Sequence, residues 1–435
     1  MSLFGAMDTA ISGLNGQAAA FGNISDNVAN SQTVGFKRVD TAFTDYLTTS
    51  NATVNESGAV VAHPDYVNNV QGTVKQTDNP LGMAITGQGF FSVNEANSTG
   101  PKGTTFSLQQ YYTRAGDFSM NKDGYLVNSA GEYLDGWTVD PTTGAVNRGG
   151  TVPIQVSQNE DVPVATTTMQ LSANLPATPT ATTPISSPIS VYDSLGTPHA
   201  LTLAWTQNAD SDWTVAISSP ANLGGALIGT AEVKFGANSG NPVPEGTVGS
   251  VGVGTGGITP SSYAAGTSAS LSLAANFGNG AQTIVLSLGQ YGASTGLTQY
   301  AGTDYTPHGL DQNGIPPGSF SSVSTTSSGD VIINYDNGKS RVVAQIPITT
   351  FNNPNALQRK DGQAFTASTP AGGARQQSAG NNGAGSIVTN SVEQSNVDIA
   401  TEFTKLIVAQ RAYSASTKVI TTAEDLLQQT IDMKR

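Results

Sequence analysis

The sequence predicts a mainly β, multi-domain chain whose two ends are α-helical and pair as a coiled coil. Three observations carry this prediction. Apolar residues at both termini recur in steps of three and four. The stretch between them breaks into short alternating runs separated by Gly, Asn and Asp turns. The regions are also nested, running helix, hairpins, β domain, hairpins, helix. The 435 residues, 37% of them hydrophobic, leave room for several cores.

At the front, Phe4, Met7, Ile11, Leu14, Ala18, Phe21, Ser25 and Val28 form the expected seam. This N-terminal helix of residues 1–35 is expected to run from Ser2 to Asn30 and stop near Gly35, because Asn and Gly tolerate the left-handed conformation that ends helices. At the back, residues 392–435 repeat the pattern. Ile399, Leu406, Tyr413, Ile420 and Leu427 recur every seven residues, with Phe403, Gln410, Thr417, Glu424 and Ile431 as the companion line. Ser395 and Asp398 supply a capping-box pattern, and Lys434 and Arg435 suit the negative end of the helix dipole. At about 1.5 Å per residue, a helix from Asn396 to Asp432 spans about 55 Å. Gly5, Gly13, Gly16 and Gly22 weaken the first helix and polar residues weaken the second seam, so both should firm up only in a larger assembly.

Between the helices, residues 36–76 read as an extended linker arm. Residues 77–148 form the first part of an inner β domain, with a glycine-bent strand through Ile85, Gly87, Gly89, Phe90, Phe91 and Val93, and with turns at Asn121 to Gly124 and Ser129 to Gly131. Residues 149–304 read as an outer β domain. There His199, Leu201, Leu203 and Trp205 share one strand face, as do Trp213, Val215 and Ile217, and as do Ile284, Leu286 and Leu288. Its glycine-rich connection from Ser250 to Pro260 lacks the Lys-Ser/Thr of a phosphate loop and reads as a flexible loop. Residues 305–391 are the second part of the inner domain, with a hairpin around Asp336-Asn337-Gly338 and a flexible stretch from Ala371 to Gly385.

Charged residues make up only 11%, and the net charge is −13 with no extended basic cluster. Nucleic acid is therefore not expected as a partner. Cysteine is absent, and the three histidines, His63, His199 and His308, are too far apart in sequence for a local metal motif. No cofactor is expected, and no nucleophile elbow, Walker sequence or HExxH argues for an enzyme. An EF-hand loop centred on Gly124 would need carboxylates where Ser119 and Ala130 stand. No apolar stretch is long enough to insert into a membrane, and no cleavable leader is expected.

Ser12-Gly13-Leu14-Asn15 and Asn27-Val28-Ala29-Asn30-Ser31-Gln32-Thr33-Val34-Gly35-Phe36-Lys37 stand at the front of the chain. Ser395-Asn396-Val397-Asp398-Ile399 and Ile407-Val408-Ala409-Gln410-Arg411-Ala412-Tyr413 stand at the back. These blocks resemble the terminal signatures of the bacterial flagellar rod and hook axial proteins. Ile85-Thr86-Gly87-Gln88-Gly89-Phe90-Phe91 and Tyr112-Thr113-Arg114-Ala115-Gly116-Asp117-Phe118 are similar to that family's inner β domain. Val191-Tyr192-Asp193-Ser194-Leu195-Gly196 and the strand after it resemble the outer domain that the family's hook branch inserts and its shorter distal rod members lack.

The resemblance implies a homo-oligomer without catalysis, a helical tube in the extracellular hook and basal body of the bacterial flagellum. Terminal helices would line its channel, the inner domain would form its wall, and the single outer domain would leave it comparatively slim. The tube would bend as a universal joint that transmits torque. Implied partners are rod, hook cap and hook-filament junction proteins, together with the flagellar type III apparatus that would export the unfolded chain on an uncleaved N-terminal signal. The helix-pairing residues are the seam positions Phe4, Met7, Ile11, Leu14, Phe21, Val28, Ile399, Phe403, Leu406, Tyr413, Ile420, Leu427 and Ile431. The motif residues are Asn27, Asn30, Thr33, Gly35, Phe36, Asn396, Asp398, Gln410 and Arg411. A distal rod or hook-filament junction subunit remains an alternative, as does a secreted β-rich adhesin or surface-layer protein.

Overall fold

The computed structural model describes residues 3–50, 55–100, 103–141, 143–179, 184–252 and 254–433. Two compact units divide the chain. The first comprises Met1–Gln158, Ser321–Asn334 and Ser340–Arg435, and the second Asn159–Phe320 with Tyr335–Lys339.

The first unit contains both helices, α1 (Leu3–Ala29) and α2 (Ile399–Asp432), and the antiparallel strands β1 (Val39–Ser50) and β2 (Asn55–Tyr66). This hairpin replaces much of the extended arm expected over residues 36–76. Its alternation was hidden because large apolar residues, Phe43, Tyr46 and Leu47, remain exposed. Ser12 Oγ of α1 accepts from Val60 N at 3.0 Å, and Asn23 Nδ2 donates to Thr41 Oγ1 at 2.8 Å. Gly16 permits the close approach, since a Cβ there would stand 3.2 Å from the Phe43 ring.

A sheet in the same unit orders Ser340–Gln345, Tyr133–Val139, Phe90–Gly100, Gly103–Thr113 and Ala364–Thr366 as neighbours. Phe90, Tyr112, Phe351, Leu357 and Phe365 pack beneath it, Phe90 edge-on to Phe365 at 5.7 Å. The expected glycine-bent strand is two strands. Gly87 and Gly89 take φ of 103° and 121°, which ends Met83–Thr86 against Ser386–Thr389 and starts Phe90–Gly100 against Gly103–Thr113. Part of the stretch read as flexible, Arg375–Ser378, is a strand on Pro347–Thr350. The hairpin expected around Asp336-Asn337-Gly338 is present, with Gly338 at φ 79°.

In the second unit, five strands from Ile185–Tyr192 to Val248–Gly252 form one sheet in chain order. A second sheet is built around Ser268–Asn276, Ala281–Gln290 and Thr168–Asn174. One core includes residues from both, among them Leu203, Trp205, Trp213, Leu271 and Leu286. The strand faces expected from alternation are the buried ones. The boundaries differ from 149 and 304, because Val146–Pro153 pairs with Tyr133–Val139 of the first unit and Thr306–Gln312 pairs with Thr168–Asn174 of the second. In its described residues the glycine-rich connection is not a flexible loop. Gly257 N donates to Ile228 O at 2.8 Å, its carbonyl accepts from Ala274 N at 2.8 Å, and a Cβ on Gly254 would overlap Thr230 O. Glycine serves there for close backbone approach.

Candidate functional site: where the chain ends meet

The motif residues converge where α1 ends and α2 begins. Gly35 adopts φ 71°, and a Cβ on it would lie 2.3 Å from Ala115 N, so the turn after α1 must be glycine. Asn30 is not left-handed as expected. Its amide instead donates to Asp26 O and Oδ1, and Thr33 Oγ1 donates to Asn30 Oδ1. Phe36 is fully buried under the Arg359 guanidinium, 4.3 Å from its ring centroid.

Immediately after Phe36 the chain buries a charged triad. Lys37 Nζ meets Glu393 Oε1 at 2.5 Å and Arg114 Nη1 meets Glu393 Oε2 at 2.9 Å, all three side chains being at most 3% exposed. Gly72 N also donates to Glu393 Oε1, while Lys37 reaches Val70 O and Arg114 reaches the carbonyls of Ile85 and Gly87. Burial pulls the Lys37 ammonium down to about 8, the attraction of Glu393 offsetting part of that and the repulsion of Arg114 adding to it. A second buried link joins the helices. Asn27 Nδ2 donates to Val39 O and to Glu402 Oε2 at 3.0 Å, while Lys405 bridges Glu402 and Asp40. Lys37, Arg114, Glu393 and Glu402 were not singled out as site residues by sequence reasoning. With charges so sparse, a lone Glu inside a strand-like run was the signal available.

Asn396 fastens the start of the last segment, accepting from Arg38 N and donating to Val67 O and Val70 O. Those bonds keep residues 394–398 out of the helix. The expected capping box is therefore corrected: Asp398 is itself the N-cap, accepting from Thr401 N at 2.9 Å, and α2 begins at Ile399. The site does not include Gln410 and Arg411, which are exposed on α2. Lys434 and Arg435 lie outside the described residues.

The helices run antiparallel, with Asn27 beside Glu402 and a Cβ on Gly13 standing 3.7 Å from Ser416 Oγ. Their seam is not the expected one. On α2 the line Leu406, Ile420 and Leu427 is half-buried, but its companion is Glu402, Ala409, Ser416 and Ala423. That line sits one residue before Phe403, Gln410, Thr417, Glu424 and Ile431, all of which are exposed. Ile399 and Tyr413 are exposed too, although Tyr413 touches Phe21 edge-on at 6.4 Å. On α1 the buried positions are Gly16, Ala20, Ile24 and Asn27. Met7, Leu14, Phe21 and Val28 are half-buried, and Phe4 and Ile11 are exposed. Small residues, Gly16, Ala20, Ala409 and Ala423, fill much of the buried line, and Phe4, Ile11, Phe403 and Ile431 stand outside it.

Two carboxyls are also buried in the first unit, each with an oxygen lacking a hydrogen-bond partner. Burial raises Glu132 to about 7 and Asp135 to about 6, the donated bonds of Asn128 and Gln110 respectively opposing it. In the second unit His199 stacks on Phe277 at 4.3 Å and bonds Asp193, which also accepts from the amides of Leu195 and Thr197 and from Asn279. Among the described residues no group of three or more His, Asp or Glu side chains could hold a metal ion, and no helix is long and apolar enough to cross a membrane.

Four family models match successive parts of the chain. These are a flagella basal body rod protein model over residues 7–37, the D1 domain of flagellar hook protein FlgE/F/G over 84–174, the D2 domain of flagellar basal body protein FlaE over 158–315, and the flagellar basal body rod FlgEFG C-terminal model over 388–433. The flagellar hook protein FlgE of Brucella suis is 33% identical over 100% of both chains. That of Salmonella typhimurium is 28% identical over 98% of this chain and 99% of its own. A crystal structure of Helicobacter pylori flagellar hook protein FlgE2 matches with a TM-score of 0.45 and 14% identity, covering 72% of this chain and 98% of that one. With one-third identity over its full length to a named hook protein, and with rod, D1 and D2 models in order along it, the chain belongs to the flagellar hook protein FlgE family.

Proposed function

We propose that this chain, a structural subunit of the flagellar hook, polymerises through its helix pair into a bent tube that carries motor torque to the filament. The observation that carries the reading is the outward turn of large apolar side chains along both helices. Phe4, Phe403 and Ile431 are 67%, 52% and 68% exposed, while Ala20, Ile24, Ala409 and Ala423 are buried in the intrachain seam. Exposed apolar lines on a water-soluble surface are costly unless neighbouring copies cover them. The first unit would supply the wall and the second the outer surface. Its sparse charge suits interfaces that slide between near-equal hydrogen-bonded contacts, as a universal joint requires.

On this reading the tube assembles outside the cell, between rod below and hook-filament junction above, beneath a cap, from subunits exported unfolded by the type III apparatus. Likeness along the whole chain to hook proteins favours this over a rod, junction or adhesin role. Electron microscopy of the purified protein under polymerising conditions tests it. Curved tubes are expected from the full chain, and none from a chain lacking residues 396–435 or carrying Leu406→Asp. Normal tubes from either variant would overturn the role given to the helix pair.

A further inference from the structure

The buried triad does not balance. Lys37 and Arg114 bring two positive charges and Glu393 one negative charge, all in side chains at most 3% exposed. One carboxylate shared between two cations leaves a positive charge in the interior, which is costly. Burial already holds the Lys37 ammonium down to about 8, so just above neutrality a sizeable share of it is the uncharged, nucleophilic amine.

Beside that amine stands an amide. Lys37 Nζ donates to Val70 O at 2.7 Å, and Asn396 Nδ2 donates to the same oxygen at 3.0 Å, so the two nitrogens are neighbours across one carbonyl. Hydrogen bonds also fix which way the Asn396 amide points. Its Oδ1 accepts from Arg38 N at 2.8 Å, while Nδ2 reaches Val67 O at 3.1 Å. Glu393 Oε1 lies 2.5 Å from Lys37 Nζ. An amine, an amide carbon, a carboxylate and a backbone N–H on the amide oxygen therefore meet at one place. These are the parts of an acyl transfer: nucleophile, electrophile, general base and oxyanion donor.

We propose that Lys37 and Asn396 join in an intramolecular isopeptide bond, a modification that the folded chain performs on itself with Glu393 as the base. Glu393 takes a proton from the Lys37 ammonium. Nζ lets go of Val70 O and its lone pair attacks Asn396 Cγ, while the carbonyl π pair moves onto Oδ1 against the Arg38 N–H. That pair then returns to re-form the carbonyl, and the Cγ–Nδ2 bond breaks with its electrons leaving on Nδ2. Glu393 hands the first proton to the departing nitrogen and takes a second from Nζ, which leaves with the ammonia as ammonium. One ammonium and one primary amide thus become one secondary amide and one ammonium ion, with no oxidant, nucleotide or water consumed. Glu393 then faces Arg114 alone, a balanced pair. The bond ties the residues after α1 to those before α2, so a pull on either helix crosses a covalent link. In a chain without cysteine it stands where a disulfide would.

The mass of the protein tests this directly. The purified, folded full-length chain, held at about pH 8, is expected to be lighter than the unlinked chain by one ammonia. Trypsin should release residues 1–38 joined to residues 376–405, because an acylated Lys37 is no longer cut and the flanking basic residues are Arg375 and Lys405. Lys37→Arg keeps the charge but has no attacking amine of this kind, so it should keep its full mass and yield 376–405 alone. A wild-type chain of full mass, with 1–37 and 376–405 as separate peptides, overturns the inference and leaves the triad a non-covalent cluster. Loss of ammonia that persists in Lys37→Arg overturns it as well, since it then comes from another amide. None of these readings depends on tube formation, so the polymer reading is tested separately.

Discussion

Glu393 is the one anion facing two buried cations, and its removal should be felt more strongly than that of any exposed charge. Glu393→Gln leaves Lys37 and Arg114 unpaired in the interior, a change that typically costs about 3–5 kcal/mol. Thermal melting of the soluble protein should show a large drop, with Glu95→Gln, at a half-exposed ion pair, nearly silent by comparison. Burial lifts the Glu132 carboxyl to a folded value of about 7, above the ordinary 4.5. The folded state therefore holds a proton that the unfolded chain has released. The stabilisation is complete below about pH 4.5 and is lost as pH rises through about 7. Glu95, Asp117 and Lys360 also bear on this carboxyl. Denaturant melts from pH 5 to 8 should show wild-type stability falling, with Glu132 contributing on the order of 3 kcal/mol and Asp135, raised to about 6, adding to the fall at the acid end, and Glu132→Gln should flatten most of that slope. The sequence named Asn27, Gly35, Phe36 and Asn396 but not what they do, because a buried ion triad drawn from residues 37, 114 and 393 has no local pattern.

The helices themselves were legible as elements, since a repeat of seven survives any choice of seam. Which line faces inward was not, because periodicity weights apolar size whereas small residues fill much of this seam. The hairpin β1–β2 was missed for a related reason: a strand pair resting on a helix and partly exposed lacks a clean two-residue alternation. The alternating strands of the second unit, closed over one apolar core, were read correctly. A seam of Ala409, Ser416 and Ala423 buries little apolar area per residue. Both helices should thus exchange amide hydrogens readily in the soluble monomer and become protected in the tube. Slow exchange from Met7 to Val28 before polymerisation would contradict that.

For the whole molecule, the two segments at the ends of the second unit's main stretch run side by side, Asp161 N bonding Gly318 O at 2.8 Å and Val164 pairing with Ile315. Replacing residues 161–318 by a short turn should therefore leave the first unit folded, because its own core includes none of them. We expect such chains to form tubes of altered curvature by electron microscopy, and loss of all polymer would refute the assignment of assembly to the helix pair.

The buried triad also sets a clock. Glu393 is 279 residues after Arg114 and 356 after Lys37, so both cations leave the ribosome long before their anion exists. At translation rates of about 5–20 residues per second, the wait after Arg114 is on the order of 14–56 s. Throughout it the first unit cannot complete its interior. Closure of that interior waits for the late segment that carries Glu393 and the strands beside it.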